Sequence, residues 1–192
     1  MPIHSTLAAQ TEDGPDEDAR LISEAKSNPV AFQVLYDHWV IPVYQYFYYR
    51  CGDVASAEDL TAQLFLTIYE ALPRYQHRGH FTAWLFAIAR NLFNKDHRKN
   101  RRLVPLSAAR EIASPDDLPA EAAHADEIQA LRDLILTLPD EQQELIRLRY
   151  AAGLRFADIA ILLNKSEAAV KKSLYRLQER LQGLMEHNHD QA

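Results

Sequence analysis

Apolar side chains recur at helical spacing through most of the chain, in blocks separated by Pro, Gly and short polar clusters. Leu60, Leu64, Ile68 and Leu72 return every fourth residue with Phe65 and Tyr69 beside them, which predicts an amphipathic helix closed by Pro73. Asp53 or Ser56 caps its start, and Glu58 and Asp59 suit its positive end. Upstream, a short helix is predicted from Asp18 to Lys26. Asn28 then caps a second helix with Pro29 in its first turn, reaching about Arg50. Phe32, Leu35, Tyr36 and Trp39 lie at helical spacing in it, and Pro42 is expected to kink or split it. The aromatic run from Tyr36 to Tyr49 reads as core. Beyond the polar segment 74–80, a further helix runs from Phe81 through WLFAIARNLF into the basic stretch 95–102.

No apolar period survives between residues 103 and 125, where three prolines sit among small and acidic residues; this reads as a linker. Periodicity returns near Asp126. Pro139 and Asp140 open a helix that Gly153 closes. FADIAILL, 156–163, forms a helix of about two turns. Asn164 tolerates the left-handed backbone of a tight turn, and Ser166 caps the next helix with Glu167 in its first turn. That helix turns Val170, Leu174, Leu177 and Leu181 inward and Lys171, Lys172, Ser173, Tyr175, Arg176 and Arg180 outward. The pattern is a helix-turn-helix: the second helix enters a major groove while the first crosses the backbone. A plain helical hairpin with a solvated basic face fits the same pattern.

Charge supports the DNA reading once its distribution is considered. The net charge of −6 over 192 residues looks wrong for a polyanion binder. Five acids fall in residues 1–18 and six in residues 111–127, with no Lys or Arg in either; removing those eleven leaves the rest at +5. Charge gathered on one face matters more than the total. Five glycines favour helix over sheet, and one cysteine, Cys51, excludes an internal disulfide and a cysteine-based zinc site. No apolar run approaches a membrane span, and the start of the chain lacks the pattern of a secretory signal. These features fit a protein of the cytoplasm.

AEDLTAQLFLTIYEALPRY followed by FTAWLFAIARN resembles region 2 of sigma factors of the extracytoplasmic-function (ECF) class of the sigma-70 family. LPDEQQELIRLRYAAGLRFADIAILLNKSEAAVKKSLYRLQERL resembles region 4 of the same family, and order, linker and length agree from about residue 18 to 182. The resemblance implies an all-α protein of two helical domains joined by a flexible linker, the second a helix-turn-helix without a wing. Its parts are a disordered acidic tail (1–17), a region 2 domain (18–102), the linker (103–125), a region 4 domain (126–186) and a disordered end (187–192). It implies a bacterial transcription initiation factor that is not an enzyme. Such a factor binds the clamp helices of the largest polymerase subunit and the flap, directs promoter recognition, and is held in check by an anti-sigma regulator. No cofactor, metal or membrane insertion is implied.

Residue by residue, Glu58, Asp59, Leu60, Gln63 and Phe65 match the polymerase-docking helix, where acids beside apolar groups suit a basic partner. Tyr75, Arg78 and His80 are the loop candidates for capturing melted −10 DNA. Asn91 matches a base-contacting position, and Arg90, Lys95, Arg98 and Lys99 would hold phosphates. Trp84 matches the family's tryptophan and reads as core. Ser166, Glu167, Lys171, Lys172, Tyr175 and Arg176 would meet the −35 element. The chain departs from the family at Ala62-Gln63, where Gln-Glu is common, and at Ala168-Ala169 and Val170-Lys171-Lys172-Ser173, changes that bear on which −35 sequence is read.

Two other classes compete. A helix-turn-helix repressor or activator that acts without polymerase accounts for 126–182 but leaves 53–93 without a role. An enzyme would need a site: His77 with His80, His97 with nearby acids, and His187 with His189 all lack a third ligand at metal spacing. No phosphate loop or nucleophile motif is present.

Overall fold

The computed structural model describes residues 15–101 and 122–189. The acidic tail before Pro15, residues 102–121 of the linker and residues 190–192 lie outside them. Every regular element among the described residues is helical: α1 (Pro15–Ala25), α2 (Pro29–Cys51), α3 (Val54–Ala71), α4 (Phe81–Arg101), α5 (Ala122–Leu136), α6 (Asp140–Ile146), α7 (Phe156–Leu163) and α8 (Glu167–His189).

Local chemistry sets the helix ends. The Asn28 side chain accepts the Val30 amide at 3.0 Å, and Pro29 occupies the first turn of α2, where a missing N–H costs nothing. Gly52 closes α2 in the left-handed conformation, φ 77°. Asp53, rather than Ser56, caps α3, accepting the Ser56 amide at 2.8 Å. A single 3₁₀ turn, Leu72–Arg74, carries the chain off α3 at Pro73.

Pro42 does not split α2, which is continuous from Pro29 to Cys51. Trp39, Val43, Tyr46 and Phe47 flank it on both sides and are all buried in one core, and that packing offsets the lost hydrogen bond. Helix α5 starts at Ala122, inside the stretch read as linker. Its alanine-rich opening has high helix propensity but no apolar period to reveal it. Likewise α1 begins at Pro15 and α8 runs to His189, so short parts of both supposed tails are helical.

Helices α1–α4 form the first domain. The inward positions predicted for α3 are buried: Leu60, Leu64, Ile68 and Leu72 are each at most 3% exposed. Tyr46, Phe47 and Phe86 at the domain's centre are fully enclosed, with Tyr46 and Phe86 edge to face at 5.4 Å. Helices α5–α8 form the second domain. Here the chain winds from α6 into a π-turn, Arg147–Ala151, and Gly153 reverses it with φ 71°.

The two domains are packed on each other. Helix α7 lies against α4, and the π-turn lies against α2. A single apolar cluster runs from Trp39, Phe47 and Phe86 in the first domain to Leu148, Leu154, Ile159 and Val170 in the second. A smaller cluster of Leu138, Leu177 and Leu181 joins α5 to α8.

Candidate nucleic-acid interface

The helix-turn-helix has the predicted geometry. Asn164 closes α7 at φ 53° and ψ 47°, the one non-glycine residue with positive φ among the described residues. The Ser166 hydroxyl accepts the Ala169 amide at 3.2 Å, capping α8. Val170, Leu174, Leu177 and Leu181 are buried, so the opposite face of α8 is free. Lys172, Tyr175, Arg176 and Arg180 stand exposed on it. Lys171 sits on the flank instead, paired with Glu167 at 2.6 Å and 5.4 Å above the Phe156 ring. Arg149 covers Phe156 from elsewhere, 4.6 Å from the ring centre, and donates to the Leu154 carbonyl at 2.8 Å. Asp158, buried at the start of α7, receives Arg155 at 3.0 Å. Lys165 in the turn is ion-paired with Glu141 of α6, and that contact holds the Glu141 carboxyl below its ordinary range. These contacts brace the motif, and Lys172, Tyr175 and Arg176 stand exposed along its outer edge, with the Tyr175 ring 6.3 Å from Phe156.

In the first domain, loop 75–80 joins the 3₁₀ turn to α4. Arg78 and His80 are exposed, whereas Tyr75 is half-buried. The Tyr75 ring lies 4.4 Å from Trp84 and 5.6 Å from Phe81, and burial raises its hydroxyl pKa. Lys26 Nζ ties the loop to the end of α1 through the Tyr75 carbonyl at 2.6 Å. Trp84 is packed against the core yet partly open, so it and Tyr75 form an aromatic floor beside an exposed, cationic loop. On α4, Asn91, Lys95 and Arg98 are exposed, and Arg90 is partly so. Lys99 lies in α4, but its side chain is outside the described residues.

The docking set on α3 divides. Glu58, Asp59 and Gln63 are exposed, and Ala62, Leu66 and Tyr69 extend their surface. Leu60 and Phe65, at 3% and 5% exposure, are not part of that surface; they are core residues, because helical spacing turns them toward α2, where Phe65 meets Tyr36 at 4.5 Å. They support the face and cannot touch a partner in this conformation.

One constellation had no counterpart among the sequence motifs. Glu144 of α6 is buried at the seam between the domains. Its Oε1 accepts the Tyr46 hydroxyl at 2.9 Å, and its Oε2 accepts Arg50 of α2. Arg90 of α4 and Arg147 of the π-turn lie 3.8 and 3.6 Å from the same carboxylate. Arg147 also donates to the Tyr49 carbonyl of α2 at 3.1 Å. Burial and the neighbouring carboxylate push the Tyr46 pKa up; burial pulls the Arg147 pKa down. The available signal was a glutamate on the inward face of α6, beside Leu145 and Leu148. Among the described residues no group of three or more His, Cys, Asp or Glu could hold a metal, and no helix is long and apolar enough to cross a membrane.

Fold and surface together define a two-domain helical protein whose second domain presents a basic recognition helix. Residues 35–103 match the family model for Sigma-70 region 2, and residues 128–181 that for Sigma-70 region 4. The chain is 30% identical over 151 residues to the ECF RNA polymerase sigma factor SigM of Bacillus subtilis, covering 78% of this chain and 92% of that one. It is 38% identical over 154 residues to the ECF RNA polymerase sigma factor BldN of Streptomyces coelicolor, covering 76% of this chain but only 57% of the relative. Its fold is similar to that of CnrH, solved in complex with the cytosolic domain of CnrY, at a TM-score of 0.65 and 21% identity, covering 88% of this chain and 97% of that one. The chain belongs to the extracytoplasmic-function class of the sigma-70 family.

Proposed function

We propose that this protein binds core RNA polymerase and directs it to start transcription at specific promoters. The supporting observation is the pairing, in one chain, of a region 2 domain with a capped helix-turn-helix whose outer edge carries Lys172, Tyr175 and Arg176. Those side chains enter the major groove of the −35 element, with Ser166 and Glu167 at the entering end of the helix and Lys171 on its flank. Arg78 and His80, over the Tyr75–Trp84 floor, receive an unstacked base of the melted −10 element, and Asn91 reads a base edge beside them. Arg90, Lys95, Arg98 and Lys99 follow the backbone. The acidic face of α3 at Glu58, Asp59 and Gln63 meets the clamp helices of the largest subunit, and region 4 meets the flap.

The chemistry is recognition, not catalysis. Binding energy drives strand separation, no cofactor takes part, and the protein acts in the cytoplasm beside polymerase and DNA. Promoter reading also requires the domains to part. The −10 and −35 elements lie about 25 base pairs apart, roughly 85 Å at about 3.4 Å per step, whereas α4 and α7 are in contact here. A regulator of the anti-sigma type stabilises the idle state.

In vitro transcription with core polymerase on a random promoter library tests this. Enrichment of templates sharing two short elements is expected. Initiation no higher than with core enzyme alone refutes it.

A further inference from the structure

We infer that Tyr46, Arg50 and Arg90 on region 2, with Asn94 behind them, form a binding site for a phosphate of the promoter backbone, and that the Glu144 carboxylate occupies it as an internal substitute while the domains are packed. This rests on the promoter-reading role proposed above. It extends the −10 set from Arg90 to Tyr46 and Arg50, which no motif assigned, and adds a competition between that site's two anions.

Three of the four polar partners of Glu144 belong to region 2: Tyr46, Arg50 and Arg90. Only Arg147 leaves with region 4. The region 2 partners are held in place without Glu144. Arg50 donates to Asn94 Oδ1 at 3.2 Å and to the Tyr46 hydroxyl, and its guanidinium lies 4.4 Å above the Phe93 ring. A planar guanidinium fixed in this way beside a hydroxyl donor matches carboxylate and phosphate alike. A backbone phosphate offers two charged oxygens, as the Glu144 carboxylate does, and so can take its place on Arg50 Nη1 and the Tyr46 hydroxyl.

The site is also in the right place. Arg90 directly precedes Asn91, and Asn94 lies one turn from Arg90 on the same helix. At about 100° per residue the niche runs beside the Asn91–Lys95–Arg98 track. There a backbone phosphate belongs while the neighbouring residues meet bases. When the domains part, Arg50 and Arg90 lose the one carboxylate that they share with Arg147 and are open to another anion. A DNA phosphate supplies it, so the backbone that region 2 grips also keeps region 4 from returning.

The test is a double-mutant cycle on the full-length protein, read by fluorescence anisotropy of labelled single-stranded DNA of mixed sequence over a salt series. Glu144→Gln keeps the shape but removes the competing charge, and should tighten binding by at least about fivefold. Glu141→Gln, an equal charge change at the exposed Lys165 pair, should not reproduce that gain. Arg50→Gln should weaken binding, lower the salt slope by about 0.7, and abolish the gain from Glu144→Gln. Circular dichroism melts accompany each variant, and Arg50→Lys, which keeps the charge, should recover the slope. Four results overturn the inference: Glu144→Gln binding as the wild type does, Glu141→Gln giving the same gain, the gain surviving intact with Arg50→Gln, or an unchanged slope in Arg50→Gln. A wild type that starts transcription from selected promoters while showing any of these leaves the sigma reading standing and removes only the phosphate site.

Discussion

Replacing Tyr46 by Phe removes one oxygen from the seam and little else. The ring is fully buried, so Tyr46→Phe keeps the packing against Phe47 and Phe86. What it loses is the bond to Glu144 and the acceptor for Arg50, both charged partners. Hydrogen bonds to charged groups are worth about 1.5–3 kcal/mol, so a loss of about 2 kcal/mol is expected, lowering Tm by roughly 4–8 °C in a chain of this size. The effect should depend on pH in a direction set by the raised Tyr46 pKa. Below the unfolded phenol's pKa of 10.0 both states keep the proton and the tyrosine's full contribution is present. Above it the unfolded phenol ionises while the buried one does not, so stability falls by about 1.4 kcal/mol per pH unit. Tyr46→Phe has no such proton to lose. Urea unfolding followed by circular dichroism should therefore show a deficit near about pH 8 that shrinks by about 1.4 kcal/mol at about pH 11. An equal deficit at both pH values refutes the buried-phenol argument, and no deficit at pH 8 refutes the seam itself.

The other predictions concern surfaces and turns. Lys172→Glu with Arg176→Glu should leave the fold intact and abolish binding to a selected −35 duplex; single Ala variants should each lower the salt slope by about 0.9 if the side chain meets a phosphate. Glu58→Lys with Asp59→Lys should change stability by less than about 0.5 kcal/mol, yet slow association with core polymerase most at low salt, measured by surface plasmon resonance. Leu60→Ala and Phe65→Ala should each cost about 2–5 kcal/mol in urea unfolding, and unaltered stability would return them to the docking face. Asn164→Val should destabilise by about 1–2 kcal/mol through its left-handed backbone, whereas Asn164→Gly should be nearly neutral by the same measurement.

Features governed by near neighbours along the chain are legible in the residues themselves. The caps at Asn28 and Ser166, the turn at Asn164, and the inward rows of α3 and α8 follow from residue type and spacing, and the fold repeats them. What escaped was decided by distant partners. Pro42 reads as a kink or a split because the local rule sees only a missing N–H; the core on either side keeps the helix unsplit. Leu60 and Phe65 match the docking helix by position, yet burial settles where they point. The opening of α5 has propensity without periodicity. Glu144 and Arg50 lie 94 residues apart, and no local pattern joins them. Of the candidate DNA-binding residues, Lys171 and Lys172 read alike as outward, and only the contacts of Lys171 with Glu167 and Phe156 set it on the flank; the aromatic floor of loop 75–80 is completed by Trp84 from the next helix.

The apolar cluster that crosses from α2 and α4 into α7 and the π-turn limits how freely the two halves can be exchanged among relatives. A hybrid joining this amino-terminal half to another member's carboxyl-terminal half would set foreign side chains against Trp39, Phe86, Arg50 and Arg90. Side chains of the wrong volume there would leave the shared cluster under- or overfilled, at a cost typically of about 1–3 kcal/mol. The seam therefore ties the sequences of the two halves together: a change of side chain on one side calls for a matching change on the other.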